Sequence, residues 1–350
     1  MKIFKMAFSI TIVLLITISI LECSTTKMNS ATPSITTQRP VKIGVLSYNY
    51  NNVFSSLIKK AFEDIQKENE DKVEFTFFDG QSNPAIESEI LNNMIQNNYN
   101  LILASVVDKN EQEIIEGFVD KAKQKGIPLV FFNIKPAKLD VIKESSKSLI
   151  VNPDANEAGE LQGKMIADAW NANKQTMDKN NDNIMQYILL KGQLESFPVK
   201  ERTNSSLKAI SDAGIKTEEL KEVSANWDQE LAKTEVESIF LKYGNRIEAI
   251  IANNDSMAIG AIEALQGYGY NKGDKEKNIP VFGINAIPET KDLIENGFMA
   301  GTIPQNPRIL ADAVYTIGMN LVSGKSPLEG TNYKLDKNGA IVTVPIAIPY

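Results

Sequence analysis

From Val41 onward the sequence alternates short β-rich runs with amphipathic helical runs, and this alternation restricts the chain to α/β architectures built on parallel sheets. Strands are predicted at Val41–Ser47, Val73–Phe78, Leu101–Ala104, Leu129–Phe132, Met185–Leu190, Ala249–Ala252, Val281–Ile284 and Met299–Ile303. Several are apolar at nearly every position, as parallel strands covered on both faces must be. Between them, Phe54, Leu57, Ile58, Ala61, Phe62 and Ile65 form one helical stripe, and Ile86, Ile90, Leu91, Met94 and Ile95 another. Further helices are predicted over 155–170 and 306–321. The β-α units exceed what one ordinary sheet holds, and 350 residues suffice for two domains, so the expectation is two doubly wound lobes.

Open α/β sheets take ligands beyond the carboxyl ends of their strands. In this chain those positions are rich in amides. Tyr48, Asn49, Tyr50, Asn51, Asn52 and Phe54 follow the first strand, and Asn133 follows Phe131-Phe132. Asn253, Asn254 and Asp255 follow Ile251-Ala252, Asn285 follows Ile284, and Gln305 and Asn306 follow Ile303-Pro304. Any one of these reads equally as a turn former or a helix N-cap. Together they describe a pocket whose groups both donate and accept hydrogen bonds, as a polyhydroxylated ligand requires.

Composition removes several function classes. The chain has no histidine, which takes away the commonest general base and imidazole metal sites. Its single cysteine, Cys23, rules out an intramolecular disulfide and a cysteine metal cluster. A net charge of −7 gives no basic footprint for nucleic acid. The string Gly159-Glu-Leu-Gln-Gly163-Lys164 is one residue short of a phosphate loop and continues with Met165. The sequence therefore points away from an enzyme.

Residues 1–22 read as a signal peptide: Lys2 and Lys5 precede an apolar run from Met6 to Leu21. Cys23 follows in Ile20-Leu21-Glu22-Cys23, which resembles a bacterial lipobox with Glu22 in place of the usual small residue. Lipidation at Cys23 is one reading; an ordinary secretory peptide or an uncleaved anchor is the other, and each exports the chain. Residues 23–40 are polar and read as a flexible tether. This stretch leaves no room for the helix-turn-helix of a two-lobed transcription regulator.

Asp178, Asn180, Asp182, Ile184 and Gln186 fall at the spacing of the first nine positions of an EF-hand loop, with Ile184 where a carbonyl serves. Asn183 replaces the turn glycine, and Leu189 stands where the bidentate Glu belongs. A calcium site here needs a carboxylate from elsewhere; otherwise the segment is a solvated polar loop.

The strings IGV (Ile43–Val45), VFFN (Val130–Asn133), LLKG (Leu189–Gly192), NWD (Asn226–Asp228), IANND (Ile251–Asp255), VFG (Val281–Gly283), AGT (Ala300–Thr302) and GTNYKLD (Gly330–Asp336) resemble the bacterial periplasmic glucose/galactose-binding proteins. The likeness spans about Lys42–Pro345. It implies two Rossmann-like lobes of the periplasmic binding protein type joined by three crossings, near Asn152-Pro153-Asp154, Pro304–Asn306 and Val342–Val344. The implied lobes are 41–152 with 306–342, and 153–305 with 343–350. It also implies a structural calcium ion held by Asp178, Asn180, Asp182, the carbonyl of Ile184, Gln186 and Glu248.

For the ligand, the resemblance implies Phe54 and Trp227 as plates around a sugar ring, with Asn133, Arg202 and Asn254 as hydrogen-bonding groups. Asn52, Ser196 with Phe197-Pro198, Asn285 and Gln305 occupy family contact positions with altered residues, three of them where the family carries Asp. Lys135 replaces an acidic residue beside the pocket. The implied ligand is a monosaccharide, galactose or glucose, with another sugar, a polyol or an anionic sugar derivative as the alternative. The implied partners are an ABC importer permease, a chemoreceptor and, through the lipid, a membrane; the chain is expected to act as a monomer in the cell envelope. A sugar sensor serving only a receptor is the other reading.

Overall fold

Parallel strands cannot be joined by tight turns, so each crossover helix must cover one face of a sheet. The computed structural model describes residues 39–107, 111–136, 138–194 and 196–346. The predicted signal peptide, Cys23, the predicted tether up to residue 38 and residues 347–350 lie outside the described residues. Pro40–Tyr350 form one unit. Its strands in chain order are β1 (Val41–Ser47), β2 (Val73–Asp79), β3 (Leu101–Ala104), β4 (Leu129–Phe132), β5 (Ser148–Pro153), β6 (Ile184–Lys191), β7 (Lys216–Ser224), β8 (Ala249–Ala252), β9 (Val281–Asn285), β10 (Gly301–Pro304) and β11 (Ile341–Val344). The principal helices are α1 (Val53–Glu68), α2 (Pro84–Gln96), α3 (Glu111–Lys125), α4 (Ala155–Ala172), α5 (Phe197–Asp212), α6 (Gln229–Tyr243), α7 (Asp255–Gly267), α8 (Pro288–Glu295) and α9 (Pro307–Val322).

Two sheets form, each parallel throughout. The first has the order β11-β5-β4-β3-β1-β2 and the second β10-β9-β8-β6-β7. The two-residue period of a strand splits each lobe's core in two. Ile43, Val45, Leu101 and Leu103 face α1 and α9, whose Phe62, Ile65, Leu310, Val314 and Ile317 are buried with them. Leu46, Ile102 and Ala104 face the opposite side with Leu91, Met94, Ile115 and Phe118 of α2 and α3. The second lobe repeats the pattern. Ile188, Leu190, Ile250 and Ala252 meet α6 and α7, while Tyr187, Leu189, Ala249 and Ile251 meet Ile166 and Trp170 of α4 and Ile210 of α5. Each such large side chain contributes about 1.5–3 kcal/mol on burial.

Three strands were not anticipated. β7, with the sequence KTEELKEVS, buries only Leu220 among its charged residues and lacks the apolar run that marks the other strands. It is an edge strand, where charged side chains face solvent and discourage pairing with another chain. β5 ends in the turn-like pair Asn152-Pro153, and β11 is four residues long, so neither stands out from its surroundings.

The chain passes between lobes after β5, after β10 and after β11. The last crossing lies at Pro345 rather than within Val342–Val344. Thr343 and Val344 pair with Asn152 and Pro153, and Asp154 N donates to Val344 O at 3.1 Å, so both residues belong to the first sheet. Ile346 then packs on Ala158, Ile284 and Ile303 of the second lobe.

Candidate ligand-binding cleft

The carboxyl ends of both sheets border one cleft, which encloses about 760 Å³ including its open mouth. Phe54 and Trp227 both line it. Phe54 lies in the first turn of α1, where Asn52 caps the helix by accepting from Ser55 N at 3.1 Å. Trp227 sits between β7 and α6 on a left-handed turn, with φ of 51° at Asn226 and 66° at Trp227. Such angles in a bulky residue are strained and persist only where the surroundings impose them. Here Asp228 N bonds Ala225 O at 2.8 Å, and Asp228 caps α6 by accepting from Leu231 N at 2.8 Å. The indole lies directly on Gly192: a Cβ there would come within 2.1 Å of the ring.

Arg202 enters the cleft from α5. Gly159 and Gly163 of α4 let the two helices approach until a Cβ at either glycine would stand 2.4 Å or less from the carbonyl oxygens of Arg202 and Ser206. This close crossing fixes the stem of Arg202, which is only 7% exposed. Its Nη1 donates to Asn253 O at 2.6 Å and its Nη2 to Gln305 Oε1 at 2.9 Å, while the guanidinium lies 5.6 Å from the Trp227 ring centre. Burial pulls its pKa down to about 10, so it stays cationic at neutral pH.

The amides fall into place around it. Asn285, at φ 127°, donates to Gln305 Oε1 at 2.8 Å. Asn254 caps α7 through Met257 N at 3.0 Å and donates to Trp227 O at 3.3 Å. Asn133 follows β4 at φ 57° and lines the first-lobe wall. Of the residues singled out from sequence, Asn52, Phe54, Asn133, Arg202, Trp227, Asn254, Asn285 and Gln305 line the cleft. Ser196 does not; it precedes α5 with its hydroxyl buried and unpartnered. The cleft also includes Tyr48 and Phe197, which the strand-end and family readings had placed beside it, and Ser105, Asn152 and Gln193, which were not assigned to it. Ser105 and Gln193 each stand within two residues of a strand's end, so the strand-end rule applied evenly would have included them.

Behind the cleft lies Asp255, fully buried. Its oxygens accept from the Thr302 hydroxyl at 2.5 Å and Ile287 N at 2.9 Å. Burial raises its pKa to about 6 against these hydrogen bonds and the Arg202 charge.

A second polar constellation lies in the Asp178–Gln186 loop ahead of and into β6. Asp178 accepts from the backbone of Asp182 and Asn183 at 3.1 Å each, and Asn181 and Asn183 adopt positive φ. Glu248 reaches the loop from the start of β8, accepting from Lys179 N at 2.6 Å and Gln186 N at 3.0 Å. Burial raises its pKa, and the like charges of Asp178 and Asp182 add to the rise. Asn180 and Gln186 side chains both contact Asp182, at 2.9 Å. Among the described residues no three acidic side chains form a metal cluster unaided, so a cation needs the amide and carbonyl oxygens as well. An all-oxygen set with mutually repelling carboxylates fits a hard divalent cation.

Comparison with known proteins agrees with this architecture. Residues 43–326 match the periplasmic binding protein domain family, and the chain belongs to it. It is 33% identical over 307 residues to the D-galactose/methyl-galactoside binding periplasmic protein MglB of Haemophilus influenzae, covering 87% of this chain and 88% of that one. It is 24% identical over 284 residues to the ribose import binding protein RbsB of Bacillus subtilis, covering 81% and 82%. A myo-inositol-bound ABC transporter solute-binding protein of Bacillus halodurans shares the fold with a TM-score of 0.69 and 22% identity, over 88% of this chain and 93% of that one.

Proposed function

We propose that this chain is an extracytoplasmic substrate-binding protein of an ABC importer that captures a monosaccharide by closing its lobes over it. The observation that carries the reading is one cleft bordered by both lobes, walled by Phe54 and Trp227 and furnished with amides and Arg202. Aromatic faces pack against the C–H faces of a sugar while polar groups at the rim engage its hydroxyls. A ligand that touches both lobes favours the closed form by its differential affinity for that form. The similarity to MglB supports a hexose skeleton of the galactose or glucose kind. The relatives MglB and RbsB are named as binding proteins, which supports binding without turnover for this chain.

Around this activity we place three further parts. Asp178, Asn180, Asp182, the Ile184 carbonyl, Gln186 and Glu248 would hold a calcium ion that ties the loop to β8 and takes no part in chemistry. Cys23 would carry the lipid that keeps the exported protein at a membrane surface. The closed surface would dock a permease. Calorimetric titration of the purified chain with monosaccharides, with small-angle scattering before and after saturation, tests the core claim. Binding with a shrinking radius of gyration is expected; saturation without compaction would refute closure.

A further inference from the structure

We propose that the ligand is an acid: a hexose derivative bearing a carboxylate, which Arg202 pairs with, rather than the neutral sugar. This deepens the monosaccharide reading above and rests on it. Three observations converge. No described residue lining the cleft carries a carboxylate, yet the lining includes a guanidinium that is almost completely buried. The side-chain hydrogen bonds of Arg202 go to neutral oxygens, those of Asn253 and Gln305, and its Nε has no partner. Asp255, the carboxylate that acts on it electrostatically, has its oxygens engaged by Thr302 and Ile287. Asp255 therefore attracts Arg202 without being either of those two hydrogen-bond partners, and a ligand carboxylate would pair with the guanidinium directly. A guanidinium matches a carboxylate in shape as well as in charge.

The balance of donors and acceptors points the same way. The Oδ1 of Asn52 is taken by Ser55 N, and that of Asn254 by Met257 N. Asn152 has both ends bound to the backbone of Ile134. Gln305 Oε1 already accepts twice, from Arg202 and Asn285, while its Nε2 is buried without a partner. The buried side-chain atoms of the described lining left without a partner are both donors, Arg202 Nε and Gln305 Nε2, while Gln193 and the Ser55 and Ser105 hydroxyls can donate or accept. Asn133 and Asn285 keep amide oxygens for sugar hydroxyls. Every hydroxyl of a neutral sugar needs an acceptor for its proton, whereas a carboxylate only accepts. Three long helices, α1, α5 and α7, also begin at cleft residues, and their first-turn amides favour negative charge. In α5 Ser196 makes no side-chain cap bond, so it takes neither the Phe197 nor the Val199 N–H, while Pro198 between them has none to offer.

The test is competitive calorimetry on the purified chain with six probes: D-galactose, D-glucose, D-galacturonate, D-glucuronate, D-galactonate and D-gluconate. At least one acid is expected to bind tenfold or more tightly than its neutral parent. The acid-to-neutral ratio should fall toward one in Arg202→Gln and be partly retained in Arg202→Lys, which a merely structural arginine would not produce. If either variant fails to fold, the wild-type ratio decides alone. Neutral hexose binding as tight as or tighter than the acids would overturn the inference and leave monosaccharide capture standing. No binding of any of the six would overturn both.

Discussion

Replacing Gly192 by alanine isolates the contribution of the Trp227 plate, because the substitution changes nothing in the cleft except the surface on which the indole rests. An added Cβ would lie 2.1 Å from the ring. Restoring ordinary carbon contact at 3.5–4.0 Å requires a displacement of about 1.5 Å. The indole cannot slide freely, since its backbone is fixed at φ 66° and flanked by the Asp228 cap. The ring must rotate or lift into the cleft, where the ligand would lie. Losing a well-placed aromatic face removes about 0.5–1.5 kcal/mol beyond the area term, and intrusion into the ligand's volume adds to it. We expect ligand affinity to fall by about 1.4–2.8 kcal/mol, tenfold to a hundredfold, while overpacking lowers stability by about 1–3 kcal/mol. Calorimetry measures the first and urea denaturation the second. Tryptophan emission provides a third readout, because the other tryptophan, Trp170, is buried in the second-lobe core and should not respond. Affinity within twofold of wild type, with unchanged emission, would refute the argument that Gly192 seats the plate.

Other perturbations address separate parts of the molecule. Chelation should lower the melting temperature of wild type and leave Asp178→Ala unmoved, since a cation present at about 100 times its dissociation constant adds about 2.7 kcal/mol; a chelator-insensitive melt in wild type counts against calcium. Asp255 has a folded pKa near 6, raised from 3.8 by burial, so its folded form favours the neutral acid. Its contribution to stability is therefore full below about pH 4 and lost as pH rises through 6, a swing of about 3 kcal/mol. Urea melts of wild type and Asp255→Asn at pH 4 and pH 7 should show a difference between the two proteins that changes with pH, and parallel profiles would exclude this carboxylate as the source. Lys135 of the first lobe places its ammonium 4.0 Å from the Phe197 ring centre of the second. Removing it in Lys135→Ala should weaken closure by about 0.5–1 kcal/mol, seen as a twofold to fivefold loss of affinity and a larger open fraction by scattering of the ligand-free chain; unaltered values would show that this contact does not bias closure.

The sequence made the β-α alternation legible because parallel strands buried on both faces must be apolar throughout, as in β3, β4 and β8. β7 escaped because an edge strand obeys the opposite rule, and its nine residues carry mostly charge. The cleft was legible at strand ends where an amide follows an apolar run, as at Asn133 and Asn285. It was less so where the local role and the cleft role coincide. Asn52 and Asn254 are helix caps by their Oδ1 and cleft residues by position, and only the structure shows which atom each role uses. Ser196 was placed in the cleft by the family resemblance; its neighbours Phe197 and Pro198 do line it, whereas its own hydroxyl is buried and unpartnered outside the lining. A one-residue step at a helix start turns a side chain by about a quarter of a turn, and a linear sequence carries no mark of that rotation.

The same distinction explains how the cleft can grip a ligand while the lobes remain free to part. Much of its polar furniture is committed within the second lobe: Arg202 to Asn253 and Gln305, Asn285 to Gln305, Asn254 to Met257 and Trp227. Strained backbone gathers at the same edge, at Asn226, Trp227, Asn285 and Ala286, all with positive φ. That wall is organised before any ligand arrives, so little ordering remains to be done on binding. The first lobe presents Phe54 on a capped helix and Asn133 on a single left-handed residue, both fixed to their own sheet. Binding then requires the two walls to meet with little rearrangement of either. The free energy of capture is set by how well one molecule fits both, and a guanidinium held ready on one wall makes the charge of that molecule the quantity to measure first.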